Sequence, residues 1–139
     1  STLNTVTAAK SLGNIDLLVL SNKCDEICNQ LSKLKDIKQI YFNESNYFTN
    51  PTAENISNFI ATNFKDYTHI LFSNNSNGKN VAPRVAGLLD VMIIPDVIEI
   101  DDHKTFKRPI YAGNAIATCK SKNIIDHGST WLPFVINII

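Results

Sequence analysis

The stretch with the strongest claim on chemistry is Gly78-Lys79-Asn80. It follows the apolar run His69-Ile70-Leu71-Phe72-Ser73 and precedes a segment in which Val81, Val85, Leu88 and Leu89 recur as one helical face. A glycine-bearing turn between a strand and a helix is where α/β proteins hold phosphate, because the first N–H groups of the helix point outward. The P-loop pattern nevertheless fails twice. Ser73 stands where its first glycine belongs, and Asn80 where a Ser or Thr would hold the metal. The dinucleotide pattern G-x-G-x-x-G is absent as well: no two of the glycines at 13, 78, 87, 113 and 128 are two apart. A plainer reading makes residues 74–80 a polar turn, with Asn80 capping the helix that buries Val81, Val85, Leu88 and Leu89. Pro83 then falls in the first turn, where a missing N–H does no harm. Gly78, Lys79, Asn80 and Arg84 form the candidate loop–helix corner.

The remaining candidates for chemistry are weaker. Cys24 and Cys28 sit four apart in a helical pattern with Ile27 and Leu31, which suits core packing. A zinc pair would need tighter knuckles and two further ligands. Cys119 lies in a strand pattern and reads the same way. His69, His103 and His127 belong to different elements, and none stands beside a nucleophile in a recognisable arrangement. Asp101-Asp102 opens a solvated turn. The N-x-S matches at Asn43, Asn55 and Asn74 are expected in an Asn-rich chain. No residue is assigned a catalytic role and no metal site is expected.

The elements that would position these residues alternate. Leu3, Val6, Ala9 and Leu12 recur about every three residues before Gly13, as in a short helix with a glycine stop. Residues 15–20 and 37–42 read as strands, with a helix between them carried by Cys24, Ile27, Cys28, Leu31 and Leu34. Asn50-Pro51 is a helix start, Asn as cap and Pro as first residue. Ala53, Ile56, Phe59, Ile60 and Phe64 follow on one face. Helices alternating with strands imply a parallel sheet covered by helices. After Asp90 the spacing changes, and residues 92–101, 105–111 and 114–120 read as strands joined by short turns, which require antiparallel pairing. The expectation is a mixed sheet, parallel first and antiparallel at the C-terminal end.

The 139 residues suit one domain, and 44% hydrophobic with 19% charged is ordinary globular composition. Thirteen basic and thirteen acidic residues balance, so the footprint of a nucleic-acid binder is absent. No apolar run reaches the roughly 18 residues of a membrane span. The first residues, STLNTVTAAKSLG, resemble neither a signal nor a transit peptide. Three cysteines fit a reducing compartment better than a disulfide framework. Residues alone thus favour a binding or assembly module over an enzyme.

Two stretches carry more. Residues 76–90, SNGKNVAPRVAGLLD, are followed by Ile94-Pro95-Asp96-Val97; residues 105–115 read TFKRPIYAGNA. Both closely resemble the N-terminal domain of the electron transfer flavoprotein alpha subunit, which carries G-K-N-x-x-P-R-V-A-x-x-L and T-F-x-R-x-I-Y-A-G-N-A. The opening TLNTVTAA resembles that family's first helix, and the similarity covers residues 2 to about 123. The resemblance implies a three-layer α/β/α Rossmann-like fold of the adenine-nucleotide-hydrolase kind. It implies a domain over 1–123, with 124–139 an unassigned tail. It further implies a heterodimer with a beta subunit that carries AMP. FAD would sit in the C-terminal domain of the alpha subunit, so that no cofactor is expected on this chain alone. Electrons would pass from acyl-CoA and related dehydrogenases to a quinone oxidoreductase, in bacterial cytoplasm or mitochondrial matrix. In that frame the chain is a scaffold, and Tyr111, Gly113 and Asn114 are a candidate turn facing a partner domain or subunit. The rival is a stand-alone adenine-nucleotide-binding module of the same fold. The family also has an apolar strand before its first helix, which this chain lacks. The apolar tail Phe134-Val135-Ile136-Asn137-Ile138-Ile139, or a strand of another chain, is expected to fill that slot, the alternative being that the protein has its own first strand ahead of residue 1.

Overall fold

A computed structural model describes residues 2–121 and 134–138. In chain order the elements are α1 (Thr2–Ala9), β1 (Ile15–Ser21), α2 (Asp25–Leu31), β2 (Ile37–Glu44), α3 (Ala53–Asn63), β3 (His69–Ser73), α4 (Ser76–Leu88), β4 (Ile93–Val97), β5 (Glu99–Asp102), β6 (Thr105–Ile110), β7 (Ala115–Lys120) and β8 (Phe134–Ile138). The fold is α/β and Rossmann-like: β1–β2, β3–β8 and β4–β8 pair in parallel, while β5–β6 and β6–β7 pair antiparallel. The antiparallel strands form a sheet of their own, where a single mixed sheet was expected. The cause lies within residues 92–101, expected as one strand. Asp96 adopts a left-handed φ of 57° and the register of β4 shifts between Ile94 and Val97. The Ile98 N–H then donates to the Lys107 carbonyl, so the chain leaves the parallel sheet and enters the hairpin.

The chain divides into two compact units, one of residues 13–52 and one of residues 1–12 with 53–139. In the smaller unit β1 and β2 pair in register from Ile15↔Ile37 to Ser21↔Glu44, with one irregularity after Ile15. Ile15, Val19, Cys24 and Phe48 are its buried apolar residues. The Cys24 N–H donates to Glu44 Oε2 at 2.9 Å, tying the start of α2 to the end of β2. Cys24 is buried as expected, but Ile27 is 42% exposed and lies off the buried stripe.

The larger unit is built around β8, which lies between β3 and β4. Its Val135, Ile136 and Ile138 are 0–4% exposed. Strands buried on both faces need apolar, β-branched residues, and this segment supplies them. Residues 134–138 of the C-terminal tail lie between β3 and β4, and nothing in the pairing identifies this position with the slot of the family's first strand; residues 122–133 and 139, His127 among them, lie outside the described residues. Among the described strands β3 pairs only with β8, and β1 only with β2. Helix α1 packs on β3 and β8, helped by Thr5 Oγ1 and Ser73 Oγ at 3.1 Å. Helix α4 packs on β8 through Val81, Ala82, Val85 and Ala86, all buried, and meets α3 alongside. One core cluster joins Val97, Phe106, Ile136 and Ile138, so β6 of the hairpin anchors to the parallel strands through Phe106.

Two helix starts differ from expectation. Helix α3 begins at Ala53, so Asn50 and Pro51 precede it instead of capping it. Pro51 follows the turn Asn46–Phe48, where its fixed φ serves irregular backbone equally well. Helix α4 begins at Ser76, seven residues before Pro83.

Candidate functional site

The expected corner is a helix, not a loop. Asn75 is its N-cap, extended at φ −103° and ψ 176°, with Oδ1 accepting from the Gly78 N–H at 2.8 Å. Its carbonyl accepts from the Lys79 N–H at 2.9 Å. Asn80 therefore lies inside the helix and caps nothing. Pro83, expected in the first turn, stands on the exposed side of the helix interior. The physical reason is that the first side chain able to reach a free N–H while its own backbone stays extended sets the start. Asn75 does so five residues earlier than the apolar periodicity suggests.

All four corner residues thus ride on α4. Gly78 is buried in the first turn, and Lys79 and Asn80 are exposed. Asn80 Oδ1 accepts from Arg84 Nε at 3.4 Å, and Arg84 Nη1 pairs with Glu54 Oε1 of α3 at 2.9 Å. Arg84 links two helices across a half-exposed surface, a pair worth about 0.2–1 kcal/mol. Just before the cap, Asn74 Nδ2 donates to Asp96 Oδ1 at 3.1 Å, so a carboxylate sits where the chain enters α4. Asn74 Oδ1 is buried and has no hydrogen-bond partner among the described residues.

The corner does not suit a phosphate. The Gly78 N–H is consumed by the cap, and Arg84 faces Glu54 and Asn80. The carboxylate of Asp96 and the acceptor oxygen of Asn74 would meet an incoming anion with like polarity. Sequence reasoning missed Asn74, Asn75 and Asp96. Asn75 left a signal, a cap residue three before Gly78, but Asn74, Ser76, Asn77 and Asn80 compete with it as caps. Nothing in the sequence marks the left-handed φ of Asp96.

The second expected site, at the tip of the β6–β7 hairpin, is a tight turn. Tyr111 has φ 51°, Ala112 φ 54° and Gly113 φ 89°. Glycine tolerates this region, but two successive residues with Cβ atoms are strained there. Tyr111 is 78% exposed, Gly113 and Asn114 are exposed, and the Asn114 N–H donates to the Tyr111 carbonyl at 3.1 Å. At the other end of the sheet the β5–β6 turn is closed by Asp102. Its carboxylate accepts from the Lys104 N–H at 2.7 Å and the Thr105 hydroxyl at 2.9 Å, and these bonds hold it below the usual carboxylate range. Lys107 contacts Asp101 and Glu99 at 3.0 and 3.1 Å, which pushes its ammonium up.

Among the described residues no group of three His, Cys, Asp or Glu could hold a metal, and no helix is long and apolar enough to cross a membrane. Burial pushes the Cys24 thiol up, away from reactivity.

A model of the electron transfer flavoprotein domain matches residues 1–125. The electron transfer flavoprotein subunit alpha of Pseudomonas aeruginosa is 41% identical over 122 residues, covering 87% of this chain and 40% of the relative. The mitochondrial subunit alpha of Dictyostelium discoideum is 40% identical over 130 residues, covering 87% and 37%. That of Paracoccus denitrificans is 37% identical over 123 residues, covering 88% and 40%. The chain spans about two fifths of the length of these relatives. Such identity over nearly all of the described residues, on an α/β frame with the expected hairpin, means that the chain belongs to the electron transfer flavoprotein family and is related to its alpha subunits.

Proposed function

We propose that this chain is the scaffold domain of an electron transfer flavoprotein alpha subunit and carries no catalytic residue of its own. In this reading the electron-carrying FAD is bound outside residues 1–139, and a beta subunit carrying AMP is the partner. Electrons pass from acyl-CoA and related dehydrogenases to a quinone oxidoreductase, in bacterial cytoplasm or mitochondrial matrix. The turn of Tyr111, Gly113 and Asn114 faces the partner.

The observation that carries the reading is the occupied α4 corner. On an α/β sheet this position is the natural nucleotide site, yet here the cap consumes the Gly78 N–H and Asp96 brings a carboxylate beside it. That speaks for a supporting role over a stand-alone nucleotide-binding module. The described residues do not fit a flavin diphosphate there, and no step of electron transfer is assigned to them.

Two measurements test the reading. The purified chain should be colourless and should give no heat with AMP, ATP or FAD in isothermal titration. It should also co-purify with an electron transfer flavoprotein beta subunit from the same source. Saturable AMP or ATP binding would favour the nucleotide module, and a yellow protein with stoichiometric FAD would overturn the scaffold assignment.

A further inference from the structure

The chain has one Asn-Gly step, Asn77-Gly78; its other glycines follow Leu12, Ala86, Ala112 and His127. In an open chain this is the step at which an asparagine most readily loses its amide. The Gly78 nitrogen gives its proton to hydroxide and attacks Asn77 Cγ. A C–N bond forms there, the bond from Cγ to the side-chain nitrogen breaks, and that nitrogen takes a proton from water and leaves as ammonia. Water then opens the cyclic imide at either carbonyl and returns Asp or isoaspartate. A side chain on the following residue would crowd the attack, and glycine has none. Asn77 is exposed, so water and hydroxide reach its amide.

The fold withholds both requirements of that attack. The Gly78 N–H donates to Asn75 Oδ1 at 2.8 Å, so the proton that must leave is held in the cap. Gly78 itself is buried. Asn77 is the second residue of α4. Ring closure brings its Cβ, Cα and carbonyl carbon into one plane with the Gly78 nitrogen, and a helical ψ of about −42° holds them out of it. The Lys79 N–H, bound to the Asn75 carbonyl at 2.9 Å, fixes the same turn. Helix ends fray more readily than their middles. The cap therefore decides how often this step is open to attack.

We propose that Asn77-Gly78 is a latent deamidation site that the Asn75 cap keeps closed, so that modification of Asn77 records each opening of the first turn of α4. The two products then diverge. Asp at this position puts a carboxylate in the first turn, where the helix dipole favours it, and the turn recloses. Isoaspartate adds a methylene to the backbone, which displaces the Gly78 N–H from Asn75 and leaves the turn without its cap. The proposal concerns the chain's own chemistry and stands apart from the proposed function.

Peptide mapping by mass spectrometry after incubation in mildly alkaline buffer tests it. The samples are the wild-type chain, folded and in guanidinium chloride, with folded Asn75→Ala and Asn75→Asp. In denaturant Asn77 is expected to deamidate ahead of every other asparagine. In the folded wild-type chain its rate is expected to fall at least about tenfold. Asn75→Ala is expected to raise the folded rate about 2- to 30-fold, the gain in open turn that follows loss of a cap. Asn75→Asp keeps an acceptor for the Gly78 N–H and is expected to stay at the wild-type rate. Equal rates for folded and unfolded wild type overturn the proposal. So does a folded Asn75→Ala that reacts no faster than wild type, or an Asn75→Asp that reacts as fast as Asn75→Ala. Should Asn75→Ala fail to fold by circular dichroism, the ratio between folded and unfolded wild type decides alone.

Discussion

The side chain and carbonyl of Asn75 hold the first turn of α4 with two bonds, at 2.8 and 2.9 Å. Removing the side chain leaves the Gly78 N–H, in a buried residue, without its acceptor. Asn75→Ala should therefore lower stability by about 0.5–2 kcal/mol. Asn80→Ala removes only an exposed 3.4 Å contact to Arg84 and should stay within about 0.5 kcal/mol of wild type. Urea unfolding of the two variants compares them directly, and a larger loss for Asn80→Ala would refute the cap assignment. A second residue-scale prediction concerns His69. Its ring nitrogens contact Thr68 Oγ1 at 3.0 Å and the His103 carbonyl at 2.9 Å, and its ring lies 6.5 Å from Phe106. Burial holds its pKa below the ordinary 6.5, against the opposing effect of the His103 carbonyl. The unfolded chain then takes up a proton before the folded one does. The contribution of His69 is whole above about pH 6.5 and is lost as pH falls toward the lower folded value. Thermal midpoints measured from pH 7.5 to 5 should fall more steeply for wild type than for His69→Gln; equal slopes would exclude the effect.

At the scale of elements, β8 matters most, because it is the middle strand of its sheet and supplies two of the four residues in the core cluster. Ile136→Ala, at a position with no exposure, should cost about 2–5 kcal/mol. A midpoint within error of wild type would show that the strand does not hold the sheet together. The sequence made β8 visible as an apolar, β-branched run, but it could not name the strands on either side, since parallel neighbours lie far apart in the chain. Strands 15–20, 37–42 and 69–73 were legible from their short apolar runs, and the antiparallel hairpin from its short turns. The start of α4 was hidden because Asn74 to Asn80 is rich in Asn, Ser and Gly, which local propensity assigns to a turn. Burial of Val81, Ala82 and Gly78 overrides that preference once Asn75 provides the cap. The corner residues were thus found by type, but their chemistry was not legible, since it depends on which N–H the cap consumes.

For the whole molecule, the two units rest on very different foundations. Residues 13–52 contribute a two-stranded sheet, a seven-residue helix and four buried apolar side chains. A two-stranded sheet is marginal by itself, and units near 40 residues seldom bury enough surface to be stable alone. The other unit combines a three-stranded parallel sheet, an antiparallel hairpin sheet and helices α1, α3 and α4. Its central positions Ala82, Val85, Val97, Phe106, Val135 and Ile136 are fully buried. Local opening follows the density of buried apolar contacts, so the two units should differ in protection. Amide hydrogen exchange should be fastest in β1 and β2 and slowest in β8, α4 and β6. The exchange measurement decides: equal protection across β1 and β8 would mean that the chain opens as one cooperative body, and that the smaller unit draws its stability from more than its own four buried side chains.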